Sequence, residues 1–288
     1  MKVLLLGNTG QLGWELQRTL QPFGDVIALD YPLIDMANPD SIRKTVQQIL
    51  PDLIVNATAY TAVDKAESEP ELANGINGTG PGVLAEEARK LKAVLLHYST
   101  DYVFDGTRSA PYTETDLPQP LSVYGSSKLA GEQAIQSVGG HYLIFRTAWV
   151  YSLRRESFVS KVLGWARKNE TLRIVDDQVS NPTWARMLAE VTSHVLARGD
   201  PYLRERTGLY HLAGAGYASR YAWALEILML DPARPEQKLK QLVPASTSEF
   251  PTPAQRPLFS ALDCQKFTQT FDLALPPWQA ALQLAMAS

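Results

Sequence analysis

The sequence predicts an α/β fold in which a doubly wound parallel sheet precedes a smaller, mixed C-terminal substrate domain. Three observations carry this reading. Short apolar runs alternate with helical patterns through the first half, a glycine-rich turn follows the first run directly, and the rhythm loosens after Val150. The apolar runs at 3–6, 26–29, 53–55, 94–96 and 142–145 have the length of strands buried on both faces. Between them, residues 11–20 carry Leu12, Leu16 and Leu20 on one helical face, and 83–91 repeat the pattern with Leu84, Ala88 and Leu91, as crossover helices require. Later segments at 158–168, 172–175, 184–198 and 209–212, with Pro-rich stretches near Pro244 and 251–257, form the mixed part. The expected division is 1–150 for nucleotide binding and 151–288 mainly for substrate, with some later segments, 172–175 among them, returning to the sheet.

Composition narrows the function classes. A chain of 288 residues, 45% hydrophobic, builds a sizeable core. With 27 Lys and Arg against 30 Asp and Glu, the net charge of −3 provides no broad positive field for nucleic acid or an anionic membrane, so anionic ligands must be met locally. No apolar stretch approaches the ~20 residues that span a bilayer, and the N-terminal run is too short for a secretion signal; the expected location is cytoplasmic. Cys264 is the single cysteine, and the four histidines show no metal-ligand spacing, so no metal site is expected. His97 and His211, in or beside apolar runs, read as structural.

Gly7, Asn8, Thr9, Gly10, Gln11, Leu12 and Gly13 join the first strand to the first helix. Glycines there let the backbone approach a pyrophosphate, and the helix N-terminus offers free N–H groups and partial positive charge, as in a Rossmann-type dinucleotide site. Asp30, at the end of the second strand, is placed to accept hydrogen bonds from the adenosine ribose, which favours NADH over NADPH. Asp35 and Met36 lie in the next loop, within reach of an adenine. Ala57, Thr58, Ala59 and Tyr60, after the third strand, are small enough at the start to let a cofactor pass close to the backbone.

Tyr124 and Lys128 stand at i and i+4 and share a helix face. A cation ~4 Å from a phenol, at an effective dielectric of ~20, is worth ~4 kcal/mol, or roughly three pKa units, enough to bring a phenol of pKa ~10 towards neutrality. Tyr124 is therefore the expected proton donor. Thr100, at the end of the fourth strand, is placed to hold the same carbonyl oxygen, and Lys128 to hold the nicotinamide ribose as well. Asn77 is either a polar support behind this group or a surface asparagine.

With these residues in place, the chain resembles the extended short-chain dehydrogenase/reductases, and within them the branch acting on dTDP-4-dehydrorhamnose. The resemblance runs nearly the whole length and rests on Gly7 to Gly13, the run from Asn56 to Glu67, the run from Ser99 to Gly106, Tyr124 with Lys128, and Arg146 to Tyr151. It implies reduction of the C4 carbonyl of dTDP-4-dehydro-L-rhamnose to dTDP-L-rhamnose with NADH or NADPH, the last step in making an activated sugar for cell-surface polysaccharide. By motif match, Thr100, Tyr124 and Lys128 carry the chemistry, while Thr100, Asp101, Tyr102 and Trp149 contact the sugar nucleotide. Arg256 is a diphosphate clamp by charge alone. Related proteins include Mg2+-bridged dimers; Glu15 and Glu190 stand at plausible places, but residues 280–288 contain no acid, which argues against a bridging Mg2+ and leaves monomer or homodimer open. The dehydratases of this group place an Asp-Glu pair after the catalytic Thr, whereas Asp101 is followed by Tyr102, so simple reduction is favoured. A 4-epimerase and a non-catalytic regulatory subunit of the same fold are the alternatives.

Overall fold

The computed structural model describes residues 1–287. Strands β1 (Lys2–Leu6), β2 (Asp25–Leu29), β3 (Leu53–Asn56), β4 (Val94–Thr100) and β5 (His141–Thr147) join Gly208–His211 in a six-stranded sheet, ordered β2, β1, β3, β4, β5, Gly208–His211. Every pairing in it is parallel. The uninterrupted apolar runs are explained by burial on both faces. Val3, Leu5, Val55, Leu96 and Phe145 point into one core with the helices Gln11–Thr19 and Ala185–Leu196. Leu4, Leu6, Ile54, Leu95 and Ile144 point into the other, with Pro39–Ile49 and Gly80–Leu91. The architecture is thus the doubly wound α/β sheet that the alternation predicts.

β4 and β5 run further than the apolar residues alone suggest. Their pairing continues to Thr100 opposite Thr147, and the polar His97 and Ser99 along the way are buried but hydrogen-bonded, so polarity does not end the strand. This extension carries Thr100 to the C-terminal edge of the sheet. The strand order turns back between β1 and β3, which places the ligand crevice of such sheets at their carboxyl ends.

One expectation is corrected. Thr171–Val175 does not rejoin the main sheet; it pairs in parallel with Gln241–Ala245 as a two-stranded ribbon. Its own alternation gives the reason, because Leu172 and Ile174 are buried while Thr171 and Arg173 are exposed, and a strand inside a doubly wound sheet is covered on both faces. Gly208–His211 takes the edge beside β5 instead. A further core gathers Tyr151, Val159, Val162, Trp223 and Leu282 from the later elements, including the helices Phe158–Ala166, Arg220–Met229 and Trp278–Met286. Among the described residues no helix is long and apolar enough to cross a membrane.

Close packing of the first helix on the first turn depends on Gly13, where a Cβ would lie 1.9 Å from the Gly7 carbonyl oxygen. Gly13→Ala is expected to lose about 1–3 kcal/mol through overpacking. A thermal melt that leaves Tm unchanged would show that the helix can shift without cost.

Candidate active site

A cleft of about 710 Å³ opens at the carboxyl edge of β1, β3, β4 and β5, within the size range of ligand pockets. Gly7, Thr9, Gly10, Gln11 and Leu12 line one end, with Asp30, Asp35 and Met36 beside them; Ala57, Thr58 and Ala59 form the middle; Thr100, Asp101, Tyr124, Lys128 and Trp149 line the rest. Residues far apart in sequence therefore share one wall.

The glycine turn fits a dinucleotide. Gly7 has φ +86°, and a Cβ there would sit 2.9 Å from the backbone of Ala57 and Thr58, so its absence lets the β1 and β3 ends approach one another. The side-chain oxygen of Gln11, Oε1, is buried without a hydrogen-bond partner and lines the cleft, as does the hydroxyl of Thr147. Such atoms are costly unless a ligand or water meets them. Asp30 pins the turn: its Oδ2 accepts from the Thr9 amide at 3.2 Å and hydroxyl at 2.5 Å, and its Oδ1 from the Tyr31 amide at 2.8 Å. A carboxylate so placed still faces the cleft and disfavours a second negative group there.

At the end of the cleft that Thr100 and Tyr124 line, Ser122 caps the helix Val123–Val138 by accepting from the Gly125 amide, and Glu67 accepts from the Val123 amide at 2.9 Å. Gly125 lets this helix start lie against the turn after β4, where a Cβ would meet the Tyr102 carbonyl at 2.2 Å. Tyr124 is thereby brought beside Thr100. Burial raises the Tyr124 phenol above its ordinary value, and the Thr100 hydroxyl is the neighbour that draws it back. Lys128 does not supply the lowering expected from its spacing. Its Nζ instead donates to the Tyr98 carbonyl at 2.6 Å and lies 3.2 Å from His97 Nε2, and burial pushes this ammonium down to about 8 against the pull of Glu132.

Asn77 is buried, not a surface asparagine. It bridges the Tyr60 backbone, accepting from its amide at 2.8 Å and donating to its carbonyl at 3.1 Å, and donates to Ser127 at 3.0 Å, so it clips the loop after β3 to the helix that bears Tyr124 and Lys128. Asp101 is also buried. Its carboxylate accepts from Ser260 at 2.5 Å, Ser180 at 2.9 Å and Thr100 at 3.2 Å, tying the C-terminal segments to the turn after β4, and burial raises its pKa. Trp149 has φ +39°, a strained backbone for an aromatic residue, and its ring stacks on Trp223 at 5.6 Å.

Five expected residues lie off the cleft wall. Asn8 donates to Gln17, Gly13 is a packing glycine, and the Tyr60 hydroxyl donates to Glu69 at 2.6 Å. Tyr102 packs edge-on against Tyr124 at 5.7 Å. Arg256, expected to clamp a diphosphate, is held by Asp64 through two bonds of 2.7 and 3.0 Å, so its charge is already compensated. Arg220 is the cation that the sequence reading missed. It forms no ion pair among the described residues, stacks 3.6 Å over the Trp149 ring, and has the Tyr102 phenol as a polar neighbour. No local motif marks it, since the chain brings it in from a helix far downstream. Thr147 was discoverable, because parallel register puts it opposite Thr100 at the same sheet edge. Glu15, one of the two acids set at plausible places for a bridging metal, is buried beside Arg18, with Arg186 and Glu190 across the helix pair; Arg186 in turn pairs with Glu190 at 3.2 Å.

Over residues 1–288 the chain matches the family described as RmlD substrate binding domain. It is 45% identical to the dTDP-4-dehydrorhamnose reductase of Salmonella typhimurium, over 98% of this chain and 96% of that protein. Among solved structures, the fold matches a dTDP-4-dehydrorhamnose reductase of Clostridium acetobutylicum with a TM-score of 0.91 and 35% identity, covering 100% of this chain and 99% of the other. It also matches the dTDP-4-dehydrorhamnose reductase of Bacillus anthracis in complex with NADP, with a TM-score of 0.90 and 32% identity over 99% and 98% of the two chains.

Proposed function

Because the chain belongs to the RmlD substrate binding domain family, we propose that it is a reductase converting the C4 carbonyl of dTDP-4-dehydro-L-rhamnose to the alcohol of dTDP-L-rhamnose. The observation that carries this reading is the convergence of Thr100, Tyr124 and Lys128 on the wall of the same cleft that Gly7 and Gly10 line at its other end. When bound, NADH or NADPH supplies the hydride. The residues that would hold it are the Gly7 to Leu12 turn, Asp30 and the Ala57 to Ala59 segment, with Lys128 at the nicotinamide ribose. Tyr124 gives its phenolic proton to the C4 oxygen as charge develops there, and Thr100 orients that oxygen. Trp149 packs on the sugar nucleotide. Arg256 is taken by Asp64, so Arg155 on the cleft wall and Arg220, neither of them in an ion pair among the described residues, are the cations open to a diphosphate. In this reading residues 1–150 hold the cofactor and 151–288 mainly the substrate.

The direct test is oxidation of NADH or NADPH with dTDP-4-dehydrorhamnose, following dTDP-rhamnose as product. Absence of turnover with either cofactor would shift the reading to an epimerase or a binding role. Selectivity has its own prediction. Asp30→Asn removes the like charge that a 2′-phosphate meets and is expected to raise the NADPH to NADH ratio of kcat/KM by about tenfold, the equivalent of ~1.4 kcal/mol. An unchanged ratio would take the choice of cofactor away from Asp30.

A further inference from the structure

Behind the lysine Lys128, a chain of hydrogen bonds runs from Thr58 on the cleft wall through the buried Asn56 and His97 to Lys128, and its polarity is fixed at the Thr58 end. The Thr58 amide can only donate, and it donates to Asn56 Oδ1 at 3.0 Å, joined by the Thr58 hydroxyl at 2.6 Å. Asn56 must therefore turn its amide nitrogen, a donor, towards His97 Nδ1, which lies 3.0 Å away. Nδ1 is left as an acceptor without a proton. A neutral imidazole carries one proton, so that proton sits on Nε2, which points at Lys128 Nζ at 3.2 Å. Asn56 and His97 are both fully buried, so bulk water does not relieve this constraint.

We propose that Asn56 locks His97 as the Nε2–H tautomer, so that the imidazole presents a donor to Lys128 and acts as a positioning residue favouring the neutral amine, which sets the alkaline limit of the reaction. An Nε2–H hydrogen bond to Nζ needs the amine lone pair, whereas an ammonium would face it donor to donor. The Tyr98 carbonyl accepts equally from amine and ammonium. The shifts agree in sense: His97 is held well below its ordinary value by burial and by Lys128, and Lys128 falls to about 8.

The other charged and titratable groups around this helix do not replace that role. Glu132, one turn on, favours the ammonium but is bound by Arg146 of β5 and by Ser99. Glu67 caps Val123, and Glu69 is taken by Lys65 and Tyr60. On the helix Gly80–Leu91, Glu86 and Glu87 face Arg43 and Lys90. Asp101 is bound by hydroxyls, and Tyr102 lies by Arg220 and Arg256.

The consequence for the reaction rests on the reductase reading, since it takes the Lys128 ammonium as the working form. Ammonium is present below the Lys128 pKa and lost above it, so kcat/KM, which reports the free enzyme, falls as pH rises through about 8. The test uses the full chain without added cofactor, labelled with 15N in histidine and 13C in lysine, and titrated by NMR from about pH 6 to about pH 10. His97 is expected to keep its proton on Nε2 throughout, and Lys128, assigned by loss of its signal in Lys128→Met, to titrate near 8. Asn56→Asp supplies an acceptor to Nδ1 and is expected to move the proton there. The Lys128 midpoint and the alkaline limb of kcat/KM should then rise together by about one pH unit or more. An Nδ1–H tautomer in the unaltered protein, or Lys128 titrating near the ordinary lysine value of ~10.4, overturns the proposal. So does an alkaline limb that stays in place while the Lys128 midpoint moves. A protein that reduces nothing overturns the reductase reading and with it the alkaline limit, while the NMR titrations still decide the tautomer and the preferred form of Lys128.

Discussion

Tyr124→Phe is expected to lower turnover by about 10²–10⁴-fold, the usual worth of a positioned general acid, while leaving cofactor affinity within a few-fold of the unaltered protein. The Tyr124 phenol is raised above its ordinary value by burial. Burial keeps Tyr124 protonated across the neutral range, so the proton is present whenever the substrate is bound. A raised value makes the phenol a weaker acid. The alkoxide that forms as hydride adds to a carbonyl is nevertheless far more basic than a phenolate, so transfer remains downhill. Phenylalanine retains the ring that packs edge-on against Tyr102 and removes only the hydroxyl, so the helix start capped by Ser122 and Glu67 stays in place. Loss of rate without loss of fold is then chemical. Stopped-flow turnover with a fluorescence titration of the cofactor separates the two, and a variant that keeps most of its rate would remove Tyr124 as the donor.

The parts of this site that were legible in the sequence are those whose information is local. The glycine turn, Asp30 and the Tyr124 and Lys128 spacing each follow from a strand end or a helical period, and all but Asn8 and Gly13 of these lie on the cleft wall. What spacing does not give is the direction in which a side chain is satisfied. The i, i+4 rule puts Lys128 on the face of Tyr124, yet His97 and the Tyr98 carbonyl, both from β4, engage its nitrogen. Arg256 shows the same limit in reverse, because its charge is visible in sequence while its partner Asp64, 192 residues away, is not. Arg220 and two of the three hydroxyls around Asp101, those of Ser180 and Ser260, arrive from segments after Val150, where periodicity is weak. The misplaced return of the chain at 172–175 has a different origin: an apolar count suggested a core strand, and the alternation of buried Leu172 and Ile174 with exposed Arg173 was the better signal.

Glu132 and Arg146 give the largest expected effect on stability. Arg146 Nε and Nη2 donate to the two carboxylate oxygens of Glu132 at 2.9 and 2.6 Å, Ser99 adds a bond of 2.5 Å, and both charged side chains are nearly inaccessible to solvent. The remaining donor of the guanidinium, Nη1, faces His211 Nε2 at 3.5 Å, and His211 Nδ1 meets the Tyr112 carbonyl, which fixes Nε2 as an acceptor. Phe104 lies under the cation at 5.1 Å. Every polar atom of the pair is thus answered, which is the condition for burying charge. Glu132→Leu leaves the arginine without its counter-charge and is expected to cost about 3–5 kcal/mol; Arg146→Leu strands the carboxylate to the same degree. Replacing both with leucine removes the uncompensated charge and is expected to cost less than either single change. Denaturant unfolding of the three variants measures this. Additive losses would mean that the two side chains contribute separately, by packing. A double variant that loses less than either single one would show that the two charges act as a unit, one that joins β4 through Ser99 and β5 through Arg146 to the helix Val123–Val138 through Glu132.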